Sequence, residues 1–150
     1  MNERKQTILA PGIAAPGDIV SRRKGLVLHK GVVLPDGGVL HNTPRRGEHV
    51  STLWEFADGE PVAVERRPYA LRRATLERAQ YVRPRSRGYD LFSNNCEHTV
   101  SRVAEGRARS PQLGSWLMGA GVALAVLAVS RHPGWALAAG AAVAKSRERY

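Results

Sequence analysis

Apolar and polar positions divide the chain into two regimes, a mixed and charged stretch up to Ser110 and an almost uncharged stretch beyond Pro111. In the first, short apolar runs alternate with turn residues. Asp18 to Arg22 reads as a short strand after an Ala-Pro-Gly turn. Leu26 to Leu34, then Pro35-Asp36-Gly37-Gly38, then Val39 to Asn42 reads as a β-hairpin whose strands are apolar on both faces. Thr52 with Glu55 three residues on is a capping-box signature for a short helix, Leu53 to Ala57, stopped by Gly59. Pro61 to Arg66 alternates as a strand does. Tyr69 to Tyr81, rich in Ala, Leu, Arg and Glu, predicts a helix that ends before the Arg83–Gly88 loop. A last short helix, Thr99 to Glu105, follows two good cap residues, Asn94 and Asn95. The pattern is α+β, with a small antiparallel sheet packed on helices.

Beyond Pro111 the pattern changes. Leu113 to Ser130 carries no charge, Arg131-His132-Pro133-Gly134 reads as a turn, and Trp135 to Ala144 is a second, shorter uncharged run. At about 1.5 Å per residue the first run nearly matches a hydrocarbon core of about 30 Å. The second is too short alone. Basic residues precede the first run (Arg102, Arg107, Arg109) and follow the second (Lys145, Arg147, Arg149), so a helical hairpin with both ends in the cytoplasm fits; a single span with an interfacial tail fits nearly as well. Two Ala/Gly-rich helices packing in a soluble protein are the competing reading. The expected organisation is an extension over 1–14, a domain over 15–110 and a hydrophobic helical tail or membrane anchor over 111–150.

At 150 residues the chain has room for one domain with a real core. Its net charge is +10, and all but four of its 23 basic residues are arginine, which favours an anionic partner surface. Nucleic acid fits this less well than lipid headgroups, because aromatics do not interleave the basic stretch; Tyr81 and Tyr89 are the aromatics around Arg72–Arg87. The first residues lack the apolar stretch of a secretory signal, so the charged domain is expected in the cytoplasm, where a single reduced cysteine is ordinary.

That cysteine, Cys96, sits at the expected start of the last short helix, where unpaired backbone N–H groups and the helix dipole favour thiolate. As a nucleophile it needs a base. His98 is nearest but poorly placed, since residues two apart on a helix point about 200° from each other. The other histidines are His29, His41, His49 and His132. His29 and His41 occupy the two arms of the expected hairpin. A three-residue loop, Pro35-Asp36-Gly37, sets Gly31 opposite His41 and puts both histidines on one face; a two-residue loop shifts the register by one and separates them.

The segments Pro16-Gly17-Asp18-Ile19-Val20, His29-Lys30-Gly31-Val32-Val33, Val39-Leu40-His41 and Asn95-Cys96-Glu97-His98 resemble the lecithin–retinol acyltransferase (LRAT) domain family, a circularly permuted relative of papain-like and NlpC-type thiol enzymes. The resemblance covers residues 15 to 110. Asn-Cys-Glu-His is its most specific element, and the twelve-residue step from His29 to His41 agrees with it. It implies a Cys-His-His site: Cys96 as nucleophile, His29 as general base, His41 as the group that orients and polarises His29. It also implies a thioester formed with an acyl chain from a phospholipid and passed to an amine, alcohol or water, with no metal or cofactor. Two positions depart from the family, Thr99 where an aromatic is common and Lys30 beside the implied base. Lys30 either depresses the pKa of His29 or points to solvent on the other strand face. Arg45-Arg46 could meet a lipid phosphate, though a solvated basic loop is the more frequent meaning of such a pair. The alternatives are a thiol amidase or peptidase of the NlpC type, and a non-enzymatic membrane adaptor in which Cys96 is idle.

Overall fold

A computed structural model describes residues 6–8 and 14–147. Its chain falls into two compact units, one ending at Arg109 and one beginning at Ser110.

The first unit is α+β. Six antiparallel strands run in the order β1-β6-β2-β3-β4-β5: β1 Gln6–Ile8, β2 Ile19–Lys24, β3 Val27–Val33, β4 Val39–Thr43, β5 Gly47–Ser51 and β6 Val62–Glu65. Three of its helices are α1 Leu53–Ala57, α2 Tyr69–Val82 and α3 Cys96–Glu105. Pairing of Gln6–Ile8 with Val62–Val64 makes part of the expected N-terminal extension a strand of the sheet. Residues 1–5 and 9–13 of that extension, and the expectation of no secretory signal there, lie outside the described residues.

Alternation along the strands sorts side chains onto two faces. Ile19, Val32, Leu34 and Leu40 pack with Ala79 of α2 and Val100, Val103 and Ala104 of α3. Val20, Val33, Val39, Val62 and Val64 pack on the other face around Phe56 of α1, which is fully buried. Each buried aliphatic side chain contributes roughly 1.5–3 kcal/mol on leaving water, so the two clusters hold the sheet between its helices. Arg22 fastens α1 to the sheet: its Nε donates to Phe56 O at 2.5 Å and its Nη2 pairs with Asp58 at 3.1 Å.

The β3–β4 loop is the three-residue form. Leu34 N donates to Gly38 O at 2.8 Å, Gly37 takes φ +79, and Gly31 opposes His41. Thr52 and Glu55 form the anticipated capping box on α1. Strand β5 and the extension of β2 to Lys24 were not legible. Gly47-Glu48-His49-Val50-Ser51 has too little apolar alternation to read as a strand, yet it pairs with β4 over five residues because Glu48 and Ser51 find buried partners.

The second unit is a helical hairpin, α4 Pro111–Ser130 and α5 Pro133–Arg147, turned at Arg131 (φ 53). Small residues let the backbones meet: a Cβ added to Gly119 would stand 2.6 Å from Gly140 O, and one added to Gly140 the same distance from Gly119 O. Helix α4, with mean hydropathy 1.8, is long and apolar enough to span a membrane, and 11% of that window is buried. A second helix packs against it, an arrangement common to the expected hairpin and to a pair of Ala/Gly-rich helices packing in a soluble protein.

Candidate active site

Helix α3 begins at Cys96 itself, three residues earlier than the pattern suggests. Asn95 is the N-cap, its Oδ1 accepting from Glu97 N at 2.9 Å and His98 N at 3.1 Å. His98 returns the favour: its Nδ1 accepts from Asn95 N at 3.3 Å. The histidine nearest the thiol in sequence is therefore spent on the cap and does not serve it as a base. Asn94 works elsewhere, donating through Nδ2 to Gly88 O at 2.7 Å.

A buried polar network fixes this helix on its sheet. Glu48 of β5 accepts from Thr99 Oγ1 at 2.8 Å, from Arg87 N at 2.9 Å and from Arg102, with which it forms an ion pair. Asn42 of β4 donates to Thr99 Oγ1 at 3.1 Å and to Asn94 O at 2.7 Å. Thr99, where the resembled family often carries an aromatic, is thus the point where β4 and β5 both grip α3. Lys30 pairs with Glu97 at 3.2 Å on the same side.

His29 and His41 lie on the opposite face, over Phe56. Nε2 of His29 stands 2.8 Å from Nδ1 of His41, and Nε2 of His41 stands 2.9 Å from Ser51 Oγ. The Phe56 ring stacks at 5.3 Å on His29 and meets His41 edge-on at 5.3 Å, while His49 tilts against His41 at 4.1 Å. Both histidines are buried, at 4% and 5% exposure. Burial is the main reason that both resist protonation, His29 down to about 4 and His41 to about 3. After burial, the charges of Arg22 and Lys24 act on His29, and those of His49 and His29 act on His41. Arg22, directly opposite His29 in the β2–β3 register, therefore supplies the neighbouring charge, while Lys30 lies on the other strand face, as one of its two expected placements had it, and pairs there with Glu97.

Cys96 meets β3 at its backbone. β4 pairs with β3 only from Gly31 to Val33, and over the rest of β3 the sulfur approaches the backbone, 3.9 Å from Leu28 O. It meets the strand one residue before His29, and its hydrogen bond goes to that carbonyl, not to the imidazole. Burial raises the thiol pKa; the backbone N–H groups of Lys30 and Glu97 work against the rise. At neutral pH the thiol and both imidazoles are neutral.

Proton placement follows from Ser51. Its one hydrogen goes to Thr52 O at 3.2 Å or to His41 Nε2. In the first case His41 donates from Nε2, accepts at Nδ1 from His29 Nε2–H, and leaves His29 Nδ1 as a free lone pair. Ser51 and Arg22 were not picked out from the sequence. Ser51 becomes visible only through the β4–β5 register, in which it opposes Val39 and shares the face of His41. Arg45 and Arg46 are exposed in the β4–β5 turn, and His132 stands in the α4–α5 turn beside Trp135, ring centroids 5.8 Å apart. Among the described residues no cluster of three or more His, Cys, Asp or Glu side chains is arranged to hold a metal ion. No protein-family model matches the chain, and no curated protein matches it in sequence.

Proposed function

We propose that the protein is a cysteine-dependent acyltransferase or acyl hydrolase acting on phospholipid or related acyl lipids, with Cys96, His29 and His41 as its reacting constellation. The α+β unit is then a circularly permuted papain-like domain of the LRAT kind. What supports this most is the 2.8 Å hydrogen bond between His29 and His41, buried beside the strand segment that Cys96 touches. Two histidines twelve residues apart in a sheet have no structural need to bond each other under burial that opposes protonation of both.

In the proposed reaction the Cys96 sulfur attacks the ester carbonyl while its proton passes to His29 Nδ1. Because thiol and imidazole both rest neutral, the proton moves as the carbon–sulfur bond forms, not beforehand. A backbone N–H at the start of α3 would stabilise the oxyanion, Glu97 N and His98 N being already bonded to Asn95 Oδ1. His29 then returns the proton to the leaving alcohol, and a thioester remains on Cys96. An amine, alcohol or water attacks that thioester, again losing its proton to His29, and the free thiol is restored. The tail α4–α5 would serve as membrane anchor, holding the catalytic unit on the cytoplasmic side beside an anionic surface.

One observation favours an idle cysteine: the thiol donates to Leu28 O. Incubation with phosphatidylcholine followed by intact-protein mass spectrometry separates the readings. An added fatty-acyl mass that disappears in Cys96→Ala and His29→Gln supports the acyl-lipid enzyme. Peptide cleavage without that mass points to the amidase alternative, and neither product, in protein of native circular dichroism, to the adaptor.

A further inference from the structure

Two turns beside Cys96 carry apolar side chains outward on rigid backbone. The first joins β2 to β3. Lys24 pairs with Val27, so the turn is the two residues Gly25-Leu26, with Gly25 at φ +61. Turns of this kind ordinarily carry polar residues. Here Leu26 is 80% exposed at the tip and Val27 41%. The strand that leaves this turn is the one the sulfur touches, at Leu28.

The second turn precedes α3. Asp90 and Asn94 exchange both backbone hydrogen bonds, at 3.1 and 2.9 Å, closing Leu91-Phe92-Ser93 into a tight loop. Asp90 Oδ1 accepts from Phe92 N at 3.0 Å and from Ser93 N and Oγ, both at 2.7 Å, so its carboxylate is turned onto the loop it caps. Leu91 and Phe92 project from this frame at 50% and 65% exposure. Leu91 O accepts from Asn95 Nδ2 at 3.0 Å, which ties the loop to the cap residue immediately before Cys96.

Basic side chains accompany both turns. Arg23 and Lys24 are exposed at the end of β2, and Arg85 and Arg87 are exposed in the segment leading to Tyr89 and Asp90. Apolar tips with flanking cations match an anionic bilayer interface, in which apolar groups enter the acyl boundary while Lys and Arg stay among headgroup phosphates. A protein partner or a second copy would satisfy the apolar tips but has no need of cations beside both.

We propose that the Leu26-Val27 and Leu91-Phe92 turns are membrane-inserting lips of the first unit. They dock the mouth of the Cys96 site onto an anionic lipid surface, so that an acyl chain passes from bilayer to thiol between them. This goes beyond anchoring by the tail, because it fixes which side of the unit meets the membrane. It takes its acyl-chain role from the proposed function; the docking itself does not depend on turnover.

The test uses the full chain with Cys96→Ser, which removes the native thiol, and one new cysteine for an environment-sensitive fluorophore: Leu26→Cys, Phe92→Cys, or Asp36→Cys at the far end of β3. Each is reconstituted in vesicles of phosphatidylcholine with and without phosphatidylglycerol, some with brominated acyl chains. The expected result is bromine quenching at the positions of Leu26 and Phe92 but not Asp36, larger with phosphatidylglycerol and reduced by Arg23→Gln with Lys24→Gln. Quenching at none of the three positions, or equally at all three, overturns the proposal. So does concentration-dependent shielding of the two turns in detergent, which would assign them to a second copy. Because no turnover is read, failure here is separate from failure of the acyl-enzyme reading, which the mass-spectrometric assay tests.

Discussion

Nε2 of His29 lies 2.8 Å from Nδ1 of His41, and this contact fixes the chemistry available to both rings. With that nitrogen engaged, Nδ1 is what His29 has left for a thiol. Its protonation is set two links away, at Ser51. The expected state in wild-type protein is His29 and His41 both protonated on Nε2, read by long-range proton–nitrogen correlation spectra at neutral pH. Ser51→Ala removes the acceptor of His41 Nε2–H and should produce mixed tautomers at both rings, with acylation of Cys96 slowed about tenfold or more. Ser51→Thr keeps the hydroxyl and should restore one tautomer. A wild-type His29 found protonated on Nδ1 would remove it as the base.

Alkylation of Cys96 should report a thiol, not an ion pair. Burial raises its pKa and depresses that of His29, so no acid-stable thiolate forms between them. The rate of reaction with iodoacetamide should climb steadily with pH through neutrality and beyond the ordinary thiol range. A plateau of reactivity already established near pH 5 would contradict the neutral pair.

Acid should destabilise the first unit earlier than carboxylate titration explains. Both histidines have folded pKa values below the unfolded value of 6.5, at about 4 and about 3, so the unfolded chain binds more protons in that window. Their contribution is complete above about pH 6.5 and is lost as pH falls toward 4 and then 3. The combined loss is on the order of a few kcal/mol. Urea denaturation of wild type and of His29→Gln/His41→Gln at pH 7 and pH 4.5 measures it; the double variant should lose much less of its stability on acidification.

Gly31→Ala should damage fold and site together. A Cβ there would meet Val39 Cγ1 at 2.4 Å and Phe56 Cε2 at 3.1 Å, and Phe56 is the ring on which both histidines rest. Overpacking of this kind costs about 1–3 kcal/mol. A lower denaturation midpoint together with shifted His29 and His41 ring resonances is the expected outcome.

Local rules explain which features were readable. The capping box at Thr52 and the uncharged runs of the tail depend on residues close in sequence, and each formed as its spacing dictates, whereas the length of the β3–β4 loop, open between two and three residues, was decided by strand pairing. The same local geometry removed His98 from the list of bases. Strand β5 and residues Gln6–Ile8 were not readable, because their pairing partners lie elsewhere in the chain and their polar content is satisfied only on assembly.

By itself, the sequence determined an α+β unit followed by an apolar helical tail, a lone cysteine at a helix start, and two histidines whose meeting hung on one loop length. Periodicity and turn chemistry are enough for that, since both act over a few residues. Only the tertiary structure decided that the histidines bond, that Ser51 and Arg22 surround them, and that Cys96 meets β3 at Leu28 O. It also set the charge of the site at neutral pH. Hydrogen bonds across strands and desolvation by Phe56 and its neighbours belong to no single segment, and they fix where the protons lie.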